Sequence, residues 1–223
     1  MERGLAIIDR AALAHNLSRV RQLAPGREVF AAVKADGYGH GAGVVAATLA
    51  AAGCDGFAVS SLDEALQLRW AGISQPIMTL SQPLGADVLA VMGEHDITPV
   101  VFERAHLTAL AAYRGPTLGA WIKLDSGMHR LGFPAYEAEA LSAAIHDMPS
   151  VTLAGCMTHL GCADDPSDPL THHQLACFDE ALAENALGHF TLYAERLRLD
   201  GPTVTIGPRA AMTVGGSSAG AIP

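Results

Sequence analysis

The stretch Val29-Phe30-Ala31-Ala32-Val33-Lys34-Ala35-Asp36-Gly37-Tyr38-Gly39-His40-Gly41 decides the fold. Its first five residues are a short apolar run bounded by turn residues, which reads as a buried strand. Lys34 stands at the end of that run. Partial desolvation there favours the neutral amine, a nucleophile toward an aldehyde. The glycines that follow let backbone N–H groups come close to an anion, and Tyr38 adds a hydroxyl. Each half alone is ordinary, because most lysines are solvated and glycine-rich turns are common at strand-to-helix corners. Together they place an aldehyde-reactive amine beside an anion cradle.

Outward from this stretch, strand-like and helix-like segments alternate. Leu13, Leu17, Val20 and Leu23 keep a helical period before it, and Val44, Val45, Leu49 and Ala52 mark one side of a helix after it. Phe57–Ser60 leads into Ser61-Leu62-Asp63-Glu64, a capping box, and that helix ends near Gly72. Further strands are expected at Pro76–Leu80, Ile97–Phe102, Ala120–Leu124 and Leu153–Met157, with helices at 84–92, 103–114 and 134–147. The last of these starts on Pro134 and turns Ala138, Leu141, Ile145 and Met148 inward. Thr171-His172-His173-Gln174 reads as a second capping box. Successive βα units joined by short loops imply a parallel sheet with helical crossovers, an α/β fold. Periodicity does not separate an open sheet from a barrel. Past Leu187 the pattern leaves alternatives: Gly188 to Asp200 extends or follows a helix, and Thr203-Val204-Thr205-Ile206 is a candidate seventh strand.

The chain has 223 residues, half of them hydrophobic, enough for one large domain with a substantial core. A net charge of −9 argues against nucleic acid or an anionic membrane as the main partner. No apolar stretch is long enough to span a bilayer, and the N-terminus lacks the apolar core of a signal peptide. Four sparse cysteines fit a reducing, cytoplasmic setting better than a disulfide framework. Cys156 and Cys162 flank His159 at a spacing that matches no zinc site, so no metal is expected.

Ala32 to Gly41 closely resembles the cofactor-binding signature of the pyridoxal 5'-phosphate (PLP)-dependent alanine racemases. Trp121-Ile122-Lys123-Leu124-Asp125-Ser126-Gly127-Met128-His129-Arg130-Leu131-Gly132 resembles a second signature of that family. Gly155-Cys156-Met157-Thr158-His159-Leu160, followed by Cys162-Ala163-Asp164-Asp165, resembles a third. Phe57–Ser61 and His95–Val101 also read like family strands, and the likeness is collinear from about Leu5 to Leu187. It implies a PLP-binding (β/α)8 TIM-like barrel over residues 1–187, with 188–223 as a diverged or truncated end that leaves the barrel incomplete. Barrel active sites lie at the C-terminal ends of the strands, where Lys34, Arg130 and His159 fall.

The resemblance also implies roles. Lys34 forms the Schiff base with PLP and acts as an acid/base group at the substrate Cα; Tyr38 holds the cofactor phosphate. Arg130 reaches the cofactor's phenolic oxygen and the substrate carboxylate, and His159 lies against the ring. Lys123 matches a position carbamylated in some members, where it orients the arginine, and Asp125 neutralises the cluster. Gly215-Gly216-Ser217-Ser218-Ala219-Gly220 loosely resembles the family's phosphate loop, which makes Ser218 a further cofactor contact. The implied reaction interconverts L-alanine and D-alanine, a small amino-acid substrate, in a homodimer. The family chain continues into a strand carrying an arginine at the pyridine nitrogen. A β-rich domain then supplies a tyrosine base across the dimer. Neither has a match: Arg209 and Tyr193 stand in the wrong contexts. Racemisation with two bases needs acid/base groups on both faces of the substrate, so weak activity is expected from this chain alone. The alternative is a non-catalytic PLP-binding barrel of the cofactor-homeostasis kind.

Overall fold

The computed structural model describes residues 7–165 and 167–183, and the main chain of 190–194 and 210–214. Among the described residues, eight strands pair in parallel: β1 (Val29–Ala32), β2 (Gly56–Val59), β3 (Ile77–Thr79), β4 (Ile97–Val101), β5 (Leu118–Asp125), β6 (Val151–His159), β7 (Phe190–Ala194) and β8 (Ala210–Val214). Each strand neighbours the next, and Val29 of β1 pairs with Met212 of β8, so the hydrogen-bonded ring closes on itself. Helices α1 (Arg10–Leu23), α2 (Ala42–Ala51), α3 (Leu62–Trp70), α4 (Ala86–Glu94), α5 (Arg104–Ala112), α6 (Ala138–His146) and α7 (Leu170–Ala183) alternate with the strands. This is the (β/α) barrel that the resemblance implies, where periodicity alone left an open sheet equally allowed; contrary to the incomplete ring expected, β7 and β8 in the C-terminal segment supply the pairings that close it. Residues Phe133–Pro134 add a two-residue parallel bridge beside the end of β5.

The ring explains the apolar runs, because β1 to β4 are covered on both faces. Val29, Ala31, Phe57, Val59, Ile77, Ile97, Val101, Ile122 and Leu124 point outward and pack under the helices in the larger core cluster. Phe30, Ala32, Ala58, Met78, Leu80, Val100 and Met157 point inward and form the smaller one, with Tyr38, Phe102 and Trp121 packed against it. Large side chains there need empty neighbours. A Cβ on Gly56 would lie 2.3 Å from the Phe30 ring, and one on Gly155 would lie 2.4 Å from the Trp121 indole.

The helices match expectation with local differences. Ala138, Leu141, Ile145 and Met148 are buried as expected, although Pro134 to Glu137 form an extended residue and a 3-10 turn before α6 begins at Ala138. On α2 the buried face is Ala42, Val45, Ala46 and Leu49, while Val44 is 53% exposed and Ala52 is exposed. That face packs against α1 and the segment at 34–39, a partner that the hydrophobic period alone does not reveal. Residues 190–194, read as part of or next to a helix, form β7; Phe-Thr-Leu-Tyr is β-prone, and β6 offers it a free edge. The strand expected at Thr203–Ile206 lies outside the described residues.

Four main-chain carbonyls fix the α3 end to the next βα unit. Arg69 donates to Ile73 O (2.9 Å), Gln75 O (2.7 Å), His95 O (2.9 Å) and Asp96 O (2.7 Å). Such a fan of bonds suits a planar guanidinium with five donors.

Candidate active site

Parallel closure brings all strand C-terminal ends to one mouth, and the chemistry-bearing residues gather there. Val33 still donates to Ala58 O (2.9 Å), so the ladder runs up to the residue before Lys34. The chain then makes a left-handed turn: Ala35, Asp36, Gly37 and Tyr38 have φ of 51°, 53°, 63° and 55°. Left-handed backbone costs a non-glycine residue about 1–2 kcal/mol, and three of these four are not glycine. Backbone strain of this kind persists only where the surroundings over-determine it. Here Gly37 N donates to Val33 O (2.9 Å), Gly41 N to Asp36 O (2.9 Å), and Ala42 N to Asp36 Oδ1 (2.7 Å). Glu64 of α3 accepts from Ala35 N (2.8 Å) and Ser60 N (2.7 Å). The turn presents a half-buried Lys34 whose Nζ lies 5.8 Å from the centre of the Tyr38 ring. That geometry suits a cation–π contact. His40 Nδ1 stays within 3.1 Å of Gly37 O and 3.0 Å of Tyr38 O, which makes it a support of the loop.

His159 ends β6 and is 3% exposed. It alternates with Met157 of the inner cluster, so it faces the barrel interior near the mouth. Lys123 alternates with Trp121 and pairs in register with Met157, which puts a buried lysine on the inner wall. Arg130 stands apart. It is exposed in the loop after β5, and the structure does not bring it into the buried group. Asp125 organises that loop instead of neutralising a cationic cluster: its Oδ1 accepts from Gly127 N and His129 N, each at 3.0 Å, and Oδ2 lies 3.1 Å from His129 Nδ1. Partial burial works to raise the Asp125 carboxyl, but those two N–H groups and the His129 ring outweigh it and hold the group below the ordinary carboxylate value. Ser218 lies outside the described residues.

Two polar clamps escape a sequence reading. Gln174, fully buried in α7, donates from Nε2 to His159 O (2.9 Å) and accepts at Oε1 from Gly161 N (2.8 Å). It also approaches Ser126 Oγ at 3.4 Å, and Ser126 Oγ lies 2.8 Å from Thr158 Oγ1, which donates to Leu124 O (2.9 Å). This network ties the ends of β5 and β6 to α7. The capping box expected at Thr171–Gln174 is absent, since α7 starts at Leu170 and Asp168 Oδ1 accepts from Leu170 N (2.8 Å). At Ser61–Glu64 only half of a box forms: Ser61 Oγ accepts from Glu64 N (3.4 Å), but Glu64 reaches past Ser61 to the Lys34 turn. Burial pushes the Cys156 thiol up to about 12, so it is inert beside this site. All four cysteines are free, and no His/Cys/Asp/Glu group able to hold a metal occurs among the described residues.

The family model for the alanine racemase N-terminal domain matches residues 8–192. This chain belongs to the alanine racemase family. It is 42% identical over 188 residues to the alanine racemase of Acidithiobacillus ferrooxidans, covering 84% of this chain and 51% of that protein. To the alanine racemase of Nitrosococcus oceani it is 45% identical over 184 residues, covering 82% and 51%. Among solved structures, alanine racemase from Corynebacterium glutamicum superposes with a TM-score of 0.77 at 33% identity, over 92% of this chain and 60% of that one. The biosynthetic alanine racemase from Pseudomonas aeruginosa gives 0.79 at 32%, over 92% and 57%. The chain spans about half the length of the curated relatives it matches, and the span that the family model covers takes in positions 34, 38, 123, 130 and 159.

Proposed function

We propose that this alanine racemase barrel holds PLP at its mouth and serves the interconversion of L-alanine and D-alanine. The observation that carries the reading is Lys34, presented half-buried on a left-handed turn at the end of β1 with the Tyr38 ring beside its amine. The residues present fit the cofactor: an amine for its aldehyde, a hydroxyl for its phosphate, and the His159 imidazole on the inner wall for its flat ring. When bound, PLP supplies the electron sink that makes the substrate Cα proton acidic.

On this reading Lys34 anchors the cofactor and then carries the Cα proton on one face of the substrate. Tyr38 orients the phosphate. Arg130, exposed in the loop that Asp125 organises, swings in to meet the substrate carboxylate and the cofactor's phenolic oxygen, acceptors that suit a guanidinium. Lys123 is the candidate for carbamylation; an intact mass without that adduct removes this part. Ser218 remains a proposed phosphate contact. Residues 1–187 carry most of the proposed PLP-binding domain, and the strands at 190–194 and 210–214, within the end expected to have diverged, complete its ring. The second acid/base group belongs to the half of the relatives that this chain does not span, so slow racemisation is expected of the 223 residues alone. A cytoplasmic homodimer completes the proposal. No helix among the described residues is long and apolar enough to cross a membrane.

The test is to mix the purified protein with PLP and record the visible band of lysine-bound cofactor, then repeat with Lys34→Ala. A band that vanishes in the variant supports the site, and interconversion of alanine enantiomers supports the reaction. A well-folded protein with no band overturns the reading. A band with no alanine turnover, even beside a full-length relative's second acid/base group, favours the non-catalytic PLP-binding alternative.

A further inference from the structure

We infer that Glu64 is a positioning residue for Lys34, a strap from α3 that fixes the left-handed turn in the geometry needed to receive the cofactor. The inference rests on the PLP-holding reading above. Its basis is a single carboxylate that bonds two segments far apart in sequence. Oε1 accepts from the N–H of Ala35, the residue directly after Lys34, and Oε2 accepts from the N–H of Ser60 at the end of β2. The Lys34 main chain is therefore tied to the neighbouring strand end at the height of the barrel mouth.

Three observations separate this from an ordinary helix cap. The N-terminus of α3 already has its cap in Ser61, whose Oγ accepts from Glu64 N. The Glu64 carboxylate bypasses the Ser61 N–H, its partner in a capping box, for a residue 29 positions earlier. Its target opens the run of left-handed residues, where a turn left untied would relax toward ordinary backbone. Such a relaxation would swing the Lys34 side chain away from the mouth. Asp36 ties the far end of the same turn to α2 through Ala42 N, so the turn that follows the lysine is held by a carboxylate at each end.

The experiment compares Glu64→Ala, Glu64→Gln and Ser61→Ala with the unaltered protein, reading PLP uptake by the lysine-bound visible band and amide hydrogen exchange over residues 35–39. The strap predicts that Glu64→Ala weakens PLP uptake roughly tenfold to a hundredfold, the scale of one charge-assisted bond. It also predicts faster exchange confined to the turn and to Ser60. Glu64→Gln keeps one acceptor oxygen and should fall between, whereas Ser61→Ala should leave both readouts near those of the unaltered protein. Equal losses in Glu64→Ala and Ser61→Ala would mean general fraying of α3 and overturn the inference. So would unchanged exchange over residues 35–39 in both Glu64 variants. If the unaltered protein takes up no PLP, the functional reading fails, and the exchange comparison still decides whether Glu64 holds the turn.

Discussion

At the scale of single residues, the mouth of the barrel is held by carboxylates that bind main chain. Asp125 illustrates the consequence for pH. Its folded-state carboxyl lies below the ordinary value of about 3.9, so its contribution is fully present above that value and fades as pH falls through the folded value. Acidification below about pH 4 should therefore loosen the Arg130 loop. Asp125→Asn should lower the urea midpoint at neutral pH and flatten its acid limb. Equal acid sensitivity in the variant and the parent would count against this role. Lys34 and His159 were legible as candidate site residues because each ends an apolar strand inside a distinctive motif. Glu64 and Gln174 were not, since a side chain that bonds a distant segment is spelled the same way as a helix cap. Arg130 was legible by motif alone, and its exposed position depends on how Asp125 folds the loop.

At the scale of elements, inward-facing large residues stand against glycines on the neighbouring strand. Gly155→Ala should cost about 1–3 kcal/mol by overpacking against Trp121, read as a drop in denaturant midpoint at constant slope. Pairing it with Trp121→Phe should return part of that loss, and strict additivity of the two changes would refute the contact. Arg69→Lys gives a second test. A lysine cannot fan its donors across four carbonyls, so a loss of about 1.5–3 kcal/mol is expected. Strand positions β1 to β6 were readable because burial on both faces leaves continuous apolar runs. The buried face of α2 was misread where alanines replace larger residues, since packing against α1 and the segment at 34–39 rewards small volume over hydrophobicity. β7 was misread because five residues carry too little periodicity to separate strand from helix.

At the scale of the whole molecule, ring closure through β7 and β8 leaves no free edge among the described strands β1 to β8. A version ending at residue 187 would expose the edges of β1 and β6 and should aggregate or lose cooperative unfolding. A soluble, sharply unfolding 187-residue protein would show that the ring is dispensable.

The same closure sets an order in time. Val29 emerges early from the ribosome, yet one of its two ladder neighbours, Met212, is among the last described residues to be made. Through most of synthesis the strand that leads into Lys34 has a partner on one side only. Long-range pairing of this sort folds slowly and leaves unfinished chains adhesive. The nascent protein is therefore a candidate client for chaperones, released when its final strand arrives.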